Sequence, residues 1–88
     1  MIFITLGRFR KKPTKQMFLE MQRLFEKSTK AGGKILGYYW TLGRYDGIVI
    51  SEAPDEKTLL KQVLNFADFV STETLVAVRP EEASKLLE

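Results

Sequence analysis

The 88-residue chain contains no cysteine and no histidine. Together these absences remove disulfides, thiolate nucleophiles, zinc sites built from Cys and His, and an imidazole base for a Ser/His/Asp triad. No metal site is expected, and any proton transfer falls to carboxylates, tyrosine, lysine, arginine or bound water. The chain also lacks an apolar run approaching the roughly 20 residues needed to cross a bilayer, so no membrane contact of that kind is expected. Its opening, Met1-Ile2-Phe3-Ile4-Thr5-Leu6, has neither a basic n-region nor a small-residue cleavage site. It reads as a strand and not a signal peptide, which sets a cytoplasmic expectation. The glycines Gly32-Gly33 and Gly43/Gly47 match neither the spacing of a dinucleotide fingerprint nor a P-loop with its following Lys-Ser/Thr. No cofactor is therefore expected.

What remains is a globular composition. A hydrophobic content of 44% with 11% aromatics is too rich for a disordered chain. A length of 88 residues leaves room for one core, hence a single domain over 1–88. The net charge of +3 is mild and dispersed over helix faces and turns, which permits nucleic-acid binding without arguing for it.

From Met1 to Arg8, Ile2, Ile4 and Leu6 alternate with Phe3, Thr5 and Gly7, the period of a strand. Pro13-Thr14 is a helix-start signal, and Met17, Met21, Leu24 and Ser28 with Phe18 and Phe25 follow helical spacing to about Ala31, where Gly32-Gly33 closes the helix. Lys34 to Leu42 reads as a second strand, with Leu36, Tyr38, Trp40 and Leu42 on one face and Ile35, Gly37, Tyr39 and Thr41 on the other. A turn at Gly43–Asp46 leads into a third strand, Gly47 to Glu52, so the two form a hairpin. Asp55 is the expected N-cap of a second helix whose stripe is Leu59, Val63, Phe66, Ala67 and Val70, widened by Leu60 and Leu64. Ser71 to Val78 gives a fourth strand, and Pro80-Glu81-Glu82 starts a short tail helix with Ala83, Leu86 and Leu87 on one side.

The order is βαββαβ, and right-handed crossovers put both main helices on the same face of a four-stranded antiparallel sheet. That is an α+β, ferredoxin-like fold. Two helices cover one sheet face, yet every strand carries bulky apolar residues at both parities, so half of that surface needs another cover. A homodimer or higher homo-oligomer, sheet against sheet, is the expectation; a monomer with a sticky face, or a sheet covered by the tail helix, is the alternative.

The stretch Gly37 to Asp46 packs four aromatics beside an arginine and a carboxylate. Tyr38 and Trp40 suit a core or dimer contact, and secondarily the wall of a ligand pocket. Arg44 and Asp46 suit turn and ion-pair roles, although Asp46 near Tyr45 could accept a proton if it were buried. A second candidate is the basic run Arg8, Arg10, Lys11 and Lys12 around Phe9, near the start of the first helix, where an anion would be favoured. This loop is expected at the end of the sheet opposite Arg44. RNA-recognition modules share the topology, but their strand-three aromatic string is absent from Gly47-Ile48-Val49-Ile50, which disfavours nucleic acid.

The string from Gly33 through Gly43-Arg44-Tyr45-Asp46, followed by Glu52-Ala53-Pro54-Asp55-Glu56 and later Ser71-Thr72-Glu73-Thr74-Leu75, resembles the GYD-domain family over nearly the whole chain. The namesake residues are Gly43, Tyr45 and Asp46, with Arg44 interposed. The resemblance implies a dimeric α-β barrel in which two ferredoxin-like sheets face each other, and it implies no activity and no catalytic residue. The wider barrel group includes cofactor-free monooxygenases, small decarboxylases or isomerases, and ligand-sensing domains, commonly with a histidine or a Trp/Asn/Tyr pocket; the missing histidine weakens that analogy. The leading expectation is a homodimeric module binding a small, partly aromatic or anionic molecule. The alternatives are a cofactor-independent enzyme using Asp46 or Tyr45 with Trp40 as pocket wall, and a structural or assembly protein.

Overall fold

In the computed structural model, which describes residues 1–87, the elements are β1 (Ile2–Phe9), α1 (Lys15–Lys30), β2 (Lys34–Trp40), β3 (Gly47–Glu52), α2 (Glu56–Asn65), β4 (Val70–Ala77) and α3 (Pro80–Ser84), with a final 3₁₀ turn at Lys85–Leu87. The strands form one antiparallel sheet in the order β2-β3-β1-β4. This is the ferredoxin-like α+β fold.

Both helix starts arise from local chemistry. Thr14 Oγ1 accepts the Met17 N–H at 3.1 Å, and Asp55 Oδ1 accepts the Thr58 N–H at 2.8 Å, each satisfying a donor that the helix itself leaves free. At the other end of α1, Gly32 takes φ +102°, a left-handed conformation that only glycine adopts without strain. The Asp55 carboxyl is held below the usual aspartate range, first by the backbone N–H of Thr58 and then by its hydroxyl. A carboxyl lowered on folding stabilises above its unfolded value, near pH 4, and that stabilisation is lost as pH falls through the lower folded value. Asp55→Asn keeps a capping side chain without the titration. Melting temperatures followed between about pH 5 and pH 2 are therefore expected to fall less steeply in the variant; identical slopes would remove the charge from the account.

Register decides which residues share a face. Phe3, Thr5, Gly7 and Phe9 of β1 lie opposite Ser51, Val49 and Gly47 of β3 and Val76, Thr74, Thr72 and Val70 of β4; this is the face the helices cover. The core beneath them is divided. One cluster joins Met21, Leu24, Phe66 and Val70; the other joins Phe3, Ala53 and Leu59.

The other face is open. Its central rows read Leu75–Ile4–Ile50 and Glu73–Leu6–Ile48–Tyr39, flanked at one end by Ala77–Ile2–Glu52–Lys34 and at the other by Arg8 beside Ser71. The tail does not cover it: Leu86 and Leu87 are 80% and 88% exposed.

Three expectations change. The first concerns β2, where the pairing slips between Ile35 and Gly37. This bulge at Leu36 inserts one residue, and with a side-chain period of two it reverses the facing of what precedes it. Ile35, not Leu36, therefore shares the helix-covered face with Tyr38 and Trp40. The strand also stops at Trp40 rather than Leu42. Second, α2 ends at Asn65, so Val70 belongs to β4; Leu60 and Leu64 point to solvent, and the buried position between Leu59 and Phe66 is Gln62. The third change concerns the ends of the sheet. Because β1 runs antiparallel to β3 with Gly7 opposite Gly47, the loop after β1 and the β2–β3 turn lie at the same end, not at opposite ends.

Candidate functional site

The sheet floor under the helices is built from small side chains. Thr5, Gly7, Gly47, Val49, Ser51 and Thr72 occupy its middle, while Met21 and Phe25 of α1 and Leu59, Val63 and Phe66, at and beyond α2, stand above it. Short residues below and long ones above do not fill the gap, and a cavity of about 70 Å³ runs between the two core clusters. Its wall is overwhelmingly apolar and carries no residue that is charged at neutral pH.

Tyr38 and Trp40 close one side. Phe25 packs on Tyr38 with ring centroids 4.7 Å apart, and Phe9 meets Trp40 edge-on at 5.0 Å. The Trp40 indole N–H donates to the Tyr38 hydroxyl, so each aromatic presents its apolar body to the cavity with its polar atom already engaged. Burial pushes the Tyr38 hydroxyl above the usual phenol value, with the Trp40 N–H opposing it; the group stays protonated at neutral pH. Both residues also line an open groove outside, with Phe18 and the α1 start at Thr14 and Lys15. They form the partition between the cavity and the surface.

Two polar side chains on the cavity wall stand apart. Ser28 is 4% exposed and Gln62 9%, and neither Ser28 Oγ nor Gln62 Nε2 has a hydrogen-bond partner among the described residues. The Gln62 amide lies against Gly33, where a Cβ would overlap its nitrogen. Helical spacing marked Ser28 as a buried position but not as a polar one lacking a partner. Gln62 was missed altogether, although its place three residues after Leu59 and four before Phe66 put a polar group on the apolar stripe.

The remaining candidates do not join this cavity. Asp46 belongs to the hairpin: its N–H donates to Gly7 O at 2.8 Å and its Oδ2 accepts the Phe9 N–H at 2.8 Å. Its carboxylate thus clasps β1 and has no role as an ion-pair partner of Arg44. Asp46→Ala leaves the half-buried Phe9 N–H without its charged acceptor and is expected to cost about 1–3 kcal/mol. Urea denaturation checks this, and a loss near zero would show water replacing the carboxylate freely.

Tyr45 reaches across the open sheet face to donate its hydroxyl to Glu73 Oε2 at 2.7 Å, which raises its pKa ahead of any burial effect. A tyrosine held protonated is a poor base. The Arg44 guanidinium stacks 5.8 Å from the Tyr45 ring centroid.

The basic run is dispersed. Arg8 faces the open side of the sheet, and Arg10 Nε donates to Ala67 O at 2.7 Å, tying the loop to the α2–β4 turn. Lys11 and Lys12 line a separate pocket together with Asp68, whose carboxylate offsets their charge. Among the described residues, no group of three or more acidic or imidazole side chains could hold a metal ion, and no helix is long and apolar enough to cross a membrane.

No curated protein matches the sequence. The model of the GYD domain matches residues 3–87, almost the entire chain and all of the sheet but Ile2, with both main helices and the cavity lining just described, and the chain belongs to the GYD domain family.

Proposed function

We propose that this chain acts as a homodimeric α-β barrel module whose helix-covered cavity binds a small molecule. The cavity of about 70 Å³ between two separate core clusters is the observation that carries the reading. The cavity is half open to the outside, so its apolar wall meets water when it is empty, and a ligand that covers this wall removes it from water. The size limits what enters, since an apolar cavity of about 150 Å³ is what holds benzene; a smaller molecule fits here without rearrangement. The lining carries no cation, which argues for an uncharged ligand over the anionic one, because a buried anion without a partner is costly.

Dimerisation is supported by the open sheet face. Ile4, Leu6, Ile48, Ile50 and Leu75 occupy its centre, Arg8, Lys34 and Glu52 sit toward its ends, and Glu73 lies on the edge strand β4, the apolar-core and polar-rim arrangement of protein interfaces. Leu75 is exposed and Ile4, Leu6, Ile48 and Ile50 are half-covered within the chain, so a partner gains their remaining apolar surface at about 25 cal/mol per Å², summed over both copies, against an association cost of at least about 4 kcal/mol.

Catalysis by an Asp46 or Tyr45 proton handler has less support, since both side chains are engaged outside the cavity. Thermal melting across a panel of small neutral metabolites is the test of ligand binding: a ligand of the folded state raises the melting temperature by mass action. A flat response across the panel counts against the reading, and sedimentation showing a monomer at micromolar concentration counts against the dimer.

A further inference from the structure

We infer that the open groove outside Trp40 is a second binding site, and that it takes a small aromatic carboxylate. It is separate from the helix-covered cavity, with Trp40 and Tyr38 as the wall between the two.

The aromatic wall of this groove is fixed by its own contacts. One face of α1 brings Lys15, Phe18 and Gln22 to it at helical spacing, and the end of β2 brings Tyr38 and Trp40. Phe18 meets Trp40 with ring centroids 6.1 Å apart, Phe9 packs on the same indole at 5.0 Å, and the indole N–H is taken up by the Tyr38 hydroxyl. Trp40 is nevertheless 47% exposed. Its neighbours already hold the ring in place, so covering the remaining surface gains apolar burial with little further loss of side-chain freedom. A flat ring suits this wall, because aromatic pairs gain from stacked and edge-on geometries beyond the area they bury.

Charge decides the other end of the ligand. The Lys15 ammonium stands over the Phe18 ring, 5.2 Å from its centroid, which places a cation beside the aromatic wall. Lys15 belongs to neither of the ion pairs found among the described residues. No residue lining the groove is acidic, and the first turn of α1 carries no acidic side chain, so the positive end of the helix adds to the Lys15 charge. A carboxylate answers that charge while keeping contact with water, and so avoids the desolvation that disfavours an anion in the inner cavity. An aromatic ring is in turn too large for that cavity of about 70 Å³, since an apolar space of about 150 Å³ is what holds benzene. The groove is open and sets no such limit.

The probes are benzoate, its neutral isostere benzamide, and the non-aromatic cyclohexanecarboxylate. Each is titrated into the full chain at low ionic strength while NMR follows the indole N–H of Trp40, the single tryptophan of the chain, the Phe18 ring, and the methyls of Val49 and Val63 in the inner cavity. Benzoate is expected to shift the Trp40 and Phe18 signals and to bind about threefold tighter than benzamide, the effect of one exposed ion pair. That preference is expected to vanish at high salt and in Lys15→Gln, a change at an exposed position that leaves the fold intact. Benzoate is also expected to bind about threefold tighter than cyclohexanecarboxylate, from ring packing alone, a comparison that requires no variant. Equal binding of benzoate and benzamide, or a preference that survives Lys15→Gln, overturns the carboxylate assignment. Equal binding of the two carboxylates overturns the aromatic one. Shifts confined to the Val49 and Val63 methyls, or no saturable shift at Trp40, overturn the groove as a site.

Discussion

Phe3→Ala is expected to remove about 3–5 kcal/mol of folding stability, the cost of truncating a fully buried phenylalanine whose surroundings collapse only partly. Phe3 is 1% exposed, the one large side chain among the described residues buried to that degree, and it packs with Ala53 and Leu59 and against Val63. It lies on a central strand, opposite Ser51 on one side and Val76 on the other, where neighbouring backbones hold the space open. A domain of this length has about 4–13 kcal/mol in total at ordinary stability per residue. The variant therefore retains at best a weakened fold, read as a lower urea midpoint with an unchanged slope. The divided core sharpens the expectation, because the cavity lies next to this cluster and its neighbours already lack packing partners on that side. A loss below about 1 kcal/mol would mean that the helices settle onto the sheet and that the cavity is not rigidly maintained.

Ile4→Glu is expected to weaken the proposed dimer at least roughly a hundredfold, because two-fold symmetry places the new charge in the interface twice and each unpaired buried charge costs several kcal/mol. Ile4 is the middle of the Leu75–Ile4–Ile50 row, on the face that the helices do not cover, so in a separated protomer the glutamate reaches water and the fold persists. Sedimentation velocity at matched concentrations reads the change, with Leu42→Glu, at a fully exposed hairpin position, as the control that alters charge alone. If Ile4→Glu sediments as the unmodified chain does, the copies do not meet through this face.

These two substitutions lie on neighbouring positions of one strand's alternating pattern, and the contrast shows how far such a pattern carries. That β1 has two apolar faces was legible, because strand periodicity is local. So were the caps at Thr14 and Asp55 and the glycine that ends α1, since each depends on hydrogen bonds within three or four residues. The same reasoning misplaced β2. An alternation assumed unbroken from Lys34 to Leu42 put Leu36 with Tyr38 and Trp40, whereas the bulge shifts Ile35 into that company. A bulge is settled by the partner strand and leaves little trace in the residues that form it.

The site was half legible for a related reason. Tyr38 and Trp40 were singled out by their chemistry and do line the cavity. Arg44, Tyr45 and Asp46 were singled out by nearness in sequence to those aromatics, but the turn carries them to the rim, where Asp46 is used by the backbone of β1. The separation expected between the basic loop and the hairpin was wrong because it was read from chain order, while the antiparallel register brings Gly7 beside Gly47.

By itself, then, the sequence determined the succession of strands and helices, their caps and turns, the class of fold, and a sheet apolar on both sides; all of these follow from backbone preferences and short-period hydrophobic patterns. Tertiary structure alone decided that small residues from three strands meet under the helices to leave a cavity, and that Ser28 and Gln62, 34 positions apart, come to its wall without partners. Those features depend on the sizes and polar valences of residues distant along the chain, and such sums are completed only when the elements pack.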